Sequence, residues 1–199
     1  MGPQKNVKNL FLLRHGDTGL HDRYIGSSDV PLTDLGKEQS RNTGRLLLKN
    51  RITQIHCSPM QRCRQTLEQL NTKAECRFNQ LLKEIDFGRW EGKTFAEIVQ
   101  SDQKLIDAWV RDPDNFSFPG GESHAGFRKR VSSVKSELEK MVEDNILVIT
   151  HGGIIRNLLC LFLGLDFDKY LVFDVEPGCF CSIRLHSEGG VLTGFNIRG

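Results

Sequence analysis

Two short apolar runs stand out from the helical periodicity around them. Leu10-Phe11-Leu12-Leu13 closes on Arg14-His15-Gly16-Asp17-Thr18, and Ile146-Leu147-Val148-Ile149 closes on Thr150-His151-Gly152-Gly153. Unbroken apolar runs of this length, bounded by polar and glycine residues, predict strands buried on both faces, here 8–14 and 145–150. Each delivers a His-Gly pair at its carboxyl end, where open α/β sheets bind ligands.

The remaining pattern alternates strand with helix. A polar loop over 16–31 leads into Pro31-Leu32-Thr33-Asp34, with Thr33 as N-cap of a helix to about residue 49 that puts Leu35, Gln39, Thr43, Leu46 and Leu47 on one side. Strand 52–57 follows. Ser58-Pro59 reads as a cap with proline at the first helical position, opening a helix to about residue 70, and then comes strand 75–78. Residues 80–92 read as loop. Thr94-x-x-Glu97 is a capping box for a short helix, with a second helical piece at 104–111 and turns at 112–115 and 119–123. Phe127, Val131, Val134, Leu138 and Met141 mark an amphipathic helix, and another runs from Gly153 to Leu163. Strands at 170–175, 179–185 and 191–197 end the chain, the last two as a hairpin through 187–190. The alternation predicts an α/β fold, a three-layer α/β/α sandwich with a mostly parallel central sheet and a short capping insertion at 88–125.

Composition narrows the class of function. The 199 residues carry a net charge of +2, too little to point to nucleic acid or a membrane surface, so any basic preference must be local to a site. No apolar run approaches the ~20 residues of a bilayer span. Met1–Asn6 has neither the apolar core of a signal peptide nor, with Asn6, a myristoylation pattern, and with six scattered cysteines and no Cys-x-x-Cys pair the expectation is a reduced cytoplasmic protein. His15 and His151 are far apart without ligand spacing around them, which argues against zinc.

Four segments carry chemistry. Arg14-His15-Gly16 and His151-Gly152-Gly153 end strands, and the latter opens a helix whose first N–H groups can meet an anion. Ser58 to Thr66 also follows a strand and sets Arg62, able to hold two phosphate oxygens at once, in a first helical turn. Leu82 to Gly92 supplies carboxylates: Glu84, with Asp86 and Glu91 as neighbouring alternatives, while Glu91, Arg89 and Trp90 serve to fix the loop or contact substrate. His56, His124 and His186 read as surface or packing residues. Arg64 and Arg128 read as solvated helix charges able to edge a pocket.

In this order the four segments resemble the histidine phosphatase superfamily of phosphoglycerate mutase-like enzymes, over nearly the whole chain. Leu32 to Gln39 and Pro119-Gly120-Gly121-Glu122-Ser123 extend the likeness, nearest in style to the phosphatase branch that contains α-ribazole phosphatase. The resemblance implies one domain over 1–199 with His15 as nucleophile, forming a phosphohistidine. It implies Arg14, Arg62 and His151 as clamps on the phosphoryl oxygens with the Gly152 N–H beside them. Glu84 becomes the proton donor to the leaving oxygen, its carboxyl pKa raised beside a dianionic substrate. It implies no metal and no cofactor.

Two positions depart from the family pattern. Asp17 stands where Glu is commoner, and His21 stands where an asparagine contacts phosphate. His21 is thus the expected phosphate contact at that place, and Thr18 fits the motif either as a ligand contact or as a loop-fixing hydroxyl. The implied activity is hydrolysis of a small phosphorylated metabolite such as α-ribazole 5'-phosphate. A mutase and a non-catalytic phosphate- or protein-binding member are the alternatives, the short 88–125 insertion favouring hydrolysis.

Overall fold

The computed structural model describes residues 8–187 and 189–199. Met1–Asn6, read above for targeting patterns, and Glu188 of the hairpin turn lie outside the described residues. A six-stranded sheet organises the rest. Its strands are β1 (Lys8–Arg14), β2 (Gln54–Cys57), β3 (Glu75–Phe78), β4 (Asn145–Thr150), β5 (Phe180–His186) and β6 (Gly189–Ile197), in the order β3-β2-β4-β1-β5-β6. The first four run parallel, β5 is antiparallel to β1, and β6 is antiparallel to β5.

Side-chain alternation sorts each central strand onto two covered faces. Leu10, Leu12, Ile146 and Val148 pack with the helices α4 (His124–Lys140) and α5 (Gly152–Leu163) through Val131, Val134, Leu138, Ile154 and Leu158. Phe11, Leu13, Leu147 and Ile149 meet the other layer, α1 (Asp34–Leu47) and α2 (Gln61–Gln69), through Leu47 and Cys63. This is the α/β/α sandwich with a mostly parallel sheet. Each buried leucine contributes about 1.5–3 kcal/mol relative to exposure, which is why β1 and β4 read as unbroken apolar runs.

Several local expectations are corrected. The 170–175 strand does not form: Phe167–Val172 is a 3-10 turn with Leu171 and Val172 largely exposed. The carbonyls beyond it go to arginines instead of a ladder, Phe173 O to Arg156 Nε and Val175 O to Arg14 Nη1. The two helical pieces expected within 94–111 are present in α3 (Phe95–Arg111), separated by non-helical backbone at Asp102 (φ −138°, ψ 32°), and both bonds of the Thr94–Glu97 capping box are present. Helix α1 presents Gly36, Ser40, Thr43, Gly44 and Leu47 inward, so Leu35 lies on the exposed side. Small residues let this helix sit close: a Cβ on Gly44 would lie 2.9 Å from the Leu70 backbone. The 80–92 loop holds two 3-10 turns, Gln80–Leu82 and Gly88–Trp90.

The rotated face of α1 has a direct consequence. Leu47→Ala should lower the unfolding free energy by about 2–5 kcal/mol, as for other buried leucines. Leu35→Ala should change it by no more than about 0.5 kcal/mol. Urea unfolding of the two variants checks the assignment, and equal losses would contradict it.

Candidate active site

Sheet register brings the chemistry together. Arg14 pairs with Thr150 across β1 and β4, and the His15 N–H donates to Thr150 O at 3.0 Å. On the other side of β4 the Ser58 N–H donates to Ile149 O at 2.9 Å. Three adjacent strands therefore end in a row, and His15, His151 and Ser58 follow their last residues. The rings of His15 and His151 meet edge to face, centroids 5.2 Å apart.

Hydrogen bonding sets both tautomers. His15 Nδ1 lies 2.8 Å from Gly16 O. A carbonyl only accepts, so Nδ1 carries the proton and Nε2 is left with its lone pair and, among the described residues, no partner. His151 Nδ1 receives the Arg62 Nε–H at 3.1 Å, so its proton sits on Nε2 and is donated to Ser58 Oγ at 2.8 Å. Ser58 was expected to cap α2. Its hydroxyl is committed to the imidazole instead, and the helix starts later, after Met60, without a side-chain cap. Burial, then the neighbouring guanidiniums, hold His15 and His151 well below the usual imidazole range, so both are neutral. Burial also pushes the Cys63 thiol, 3.6 Å from His151 Nε2, up to about 12, and it packs as a neutral group.

Arg62 is fully buried. It donates through Nη1 to Ser28 O, through Nη2 to Gly26 O and through Nε to His151, which uses three of its five donors. Arg14 spends Nη1 on Val175 O, and its buried Nε has no partner among the described residues. Among the described residues neither guanidinium has a carboxylate within ion-pair distance. A buried cation and a half-buried one, both with spare donors, beside a free imidazole nitrogen make a receptor for an anion. Gly152 adds the open N-terminus of α5, and Arg14 lies 3.6 Å from where a Cβ on Gly152 would stand.

Glu84 closes the other side. Its carboxylate accepts from the Gly153 N–H at 2.8 Å and from its own neighbour Ile85 at 3.0 Å, and its charge reaches Arg14. Arg130 holds the segment before it, donating to the carbonyls of Leu81, Lys83 and Glu84, and pairs with Glu122 at 2.7 Å. Pro119–Ser123 thus anchors the Glu84 loop from outside, and a Cβ on Gly121 would lie 2.4 Å from Asp86 O. Of the other carboxylates, Asp86 accepts from Ser27 Oγ and Gly88 N–H, while Glu91 accepts the N–H groups of Gly26, Ser27, Ser28 and Phe87. Glu91 fixes the loop that holds Arg62. Arg89 and the Trp90 indole N–H both go to Asp102.

The structure does not bring every expected residue to the site. His21 is solvent-exposed and meets Asp17 at 3.2 Å, and Thr18 is half-buried; among the described residues neither side chain bonds to Arg14, His15, Arg62, Glu84 or His151. Asp17 is a structural centre, accepting from Thr33 Oγ1 at 2.6 Å while its N–H donates to Gln39. A cleft of about 410 Å³ opens from Arg14, Glu84, Gly152 and Gly153, and its outer wall includes Tyr24, Phe87, Trp109, Phe118, Phe127 and Tyr170. His124, Arg128 and Arg156 also line it. Sequence reasoning missed Ser58 as a partner of His151, although its place at a strand end was the available signal. Arg130 gave no local signal, since its partners lie 8 and more than 45 residues away.

Residues 10–198 match the model of the histidine phosphatase superfamily, branch 1, and the chain belongs to that superfamily. It is a phosphatase of that family. It is 28% identical over 194 residues to the adenosylcobalamin/α-ribazole phosphatase of Escherichia coli K12, covering 95% of this chain and 96% of that protein. Phosphoserine phosphatase 1 of Hydrogenobacter thermophilus is 28% identical over 196 residues, covering 94% and 92%. The crystal structure of the α-ribazole phosphatase from Shigella flexneri superposes with a TM-score of 0.86 at 27% identity, covering 95% of this chain and 96% of that one. No helix among the described residues is long and apolar enough to cross a membrane.

The neutral imidazoles link stability to pH. In the unfolded chain both protonate near ~6.5; in the folded chain they resist protonation to well below that. Below ~6.5 the unfolded state therefore binds more protons, and stability, fully present above that pH, falls as the pH falls toward the folded values. For the pair the slope approaches about 2.7 kcal/mol per pH unit. Urea midpoints should hold from pH 7.5 to about 6.5 and fall from there to pH 5, and a flat profile over the lower range would contradict the neutral assignment.

Proposed function

We propose that the whole chain works as one unit that hydrolyses a small phosphomonoester in two half-reactions on His15. The observation that carries this reading is the free lone pair of His15 Nε2 beside the buried guanidinium of Arg62 and the half-buried one of Arg14, which among the described residues have no carboxylate within ion-pair distance. Neutral Nε2 attacks phosphorus, a phosphorus–nitrogen bond forms, and the ester phosphorus–oxygen bond breaks. Glu84 gives a proton to the departing oxygen. The spare N–H groups of Arg14 and Arg62 and the Gly152 N–H hold the equatorial oxygens as their charge develops. Water then attacks the phosphohistidine, Glu84 takes its proton, and phosphate leaves.

His151 serves the clamp by orienting Arg62. A direct contact with a phosphoryl oxygen requires its Nε2–H to leave Ser58 Oγ. His21 and Thr18 take no part in this scheme. The 88–125 segment acts as the cap, contributing Trp109 and Phe118 to the cleft wall. Among named relatives, an α-ribazole phosphatase and a phosphoserine phosphatase bracket the substrates to test, α-ribazole 5'-phosphate first.

Rapid quench with a ³²P-labelled ester should trap acid-labile, base-stable label on wild type and none on His15→Ala, whose turnover should fall by about 10³-fold or more. Glu84→Gln should slow alkyl phosphates by about 10²–10⁴-fold and p-nitrophenyl phosphate far less, because nitrophenolate departs without a proton. Equal rates for wild type and His15→Ala would sink the scheme. Conversion of 3-phosphoglycerate to its isomer without free phosphate would show a mutase instead.

A further inference from the structure

The outer half of the cleft has a character of its own. Tyr24, Phe87, Trp109 and Tyr170 are each only half-buried there, and Leu171 is 67% exposed. Tyr24 stands perpendicular to Phe87, with centroids 5.0 Å apart, and edge-on to Trp109 at 6.5 Å. Aromatic surface left open in a concavity that continues into a reactive site is surface held ready for a ligand.

The cations of this region are already paired. Arg23 meets Glu97 and Gly92 O, Arg128 meets Asp114, and Arg156 is shared between Phe173 O and Asp174. A carboxylate or second phosphate on the substrate would compete with these pairs rather than find a free cation. His124 is among the uncommitted polar groups of the wall. His124, 8% exposed, lies 5.3 Å ring to ring from Phe118, and its ring nitrogens hydrogen-bond to no protein group among the described residues.

We infer that this outer half is a subsite for an uncharged, flat aromatic portion of the substrate's leaving group, packed against Tyr24, Phe87 and Trp109 and read by one hydrogen bond from His124. It rests on the proposed hydrolysis only in placing the phosphoryl group at the Arg14 end. The subsite makes aryl-bearing phosphomonoesters the preferred class and disfavours small esters whose alcohol carries a carboxylate.

Kinetics with 2-phenylethyl phosphate, propyl phosphate and O-phosphoserine test this. Covering part of one ring is worth about a factor of ten or more in kcat/KM, so 2-phenylethyl phosphate should exceed propyl phosphate by at least that ratio, with O-phosphoserine lowest. Trp109→Ala should reduce the ratio toward one. Should that variant fail to fold, Leu171→Asp, at an exposed position, should reduce it as well by placing a carboxylate at the cleft mouth. Independently of turnover, 2-phenylethanol with inorganic phosphate should change tryptophan fluorescence saturably in wild type and not in Trp109→Phe, Trp90 being fully buried. Equal kcat/KM for the three esters, or a preference for O-phosphoserine, overturns the subsite while leaving hydrolysis intact. If no ester is hydrolysed, the proposed reaction fails and the fluorescence titration alone decides the subsite: saturable binding upholds it and its absence overturns it.

Discussion

The site depends on a buried guanidinium that is stabilised without being neutralised. A bare cation as buried as Arg62 would cost several kcal/mol, and the usual remedy, a direct carboxylate, would consume the donors needed for phosphate. Here the carboxylate acts through an intervening loop. Glu91 gathers the N–H groups of Gly26, Ser27 and Ser28, and the carbonyls of Gly26 and Ser28 turn to Arg62. The peptide dipoles point from anion to cation, so Glu91 fixes the loop and the loop fixes Arg62. Two of the guanidinium's N–H groups stay free, and its Nε sets the tautomer of His151.

The same economy places the other groups. Arg130 and Glu122 hold the 81–84 carbonyls, so Glu84 is aimed from behind while its own oxygens touch only N–H donors. Thr66 accepts the Gly16 N–H and donates to Arg62 O, tying the His15 loop to the helix that carries Arg62. A Cβ on Gly16 would lie 2.3 Å from Gly36 O, so the start of α1 and the His15 loop are in contact through backbone alone. The recurrent Leu32–Gln39 segment is thereby a support for the loop, with Thr33 and Gln39 both bonded to Asp17.

What could be read in advance follows from range. Strands β1 and β4 were legible because burial on both faces leaves an unbroken apolar run, and their ends located His15 and His151, while the end of β2 located the Arg62 turn. The 170–175 segment was not legible, since its apolar residues resemble a strand while its carbonyls are taken by Arg14 and Arg156 from distant parts of the chain. The inward face of α1 was misjudged because glycine, serine and threonine are buried there by close helix approach rather than by hydrophobicity. His21 occupies a motif position, but its exposed ring meets the buried Asp17 carboxylate. The cleft wall joins several sequence-distant segments, and only the folded chain shows that their aromatic residues share one space.

The nucleophile's protonation state shows why this packing matters for chemistry. Two influences keep His15 neutral: burial, which is the larger, and the nearby positive charges of Arg14 and Arg62. A phosphate dianion entering the site offsets the second influence, and if cation repulsion alone kept the imidazole neutral, substrate would promote protonation of the group that must attack it. Burial does not vanish when substrate binds, and the Nδ1–H bond to Gly16 O keeps the remaining lone pair on Nε2. The strand that opened the sequence reading therefore does more than deliver a histidine to a sheet edge. By burying it, β1 preserves an attacking lone pair at the moment its electrostatic surroundings change.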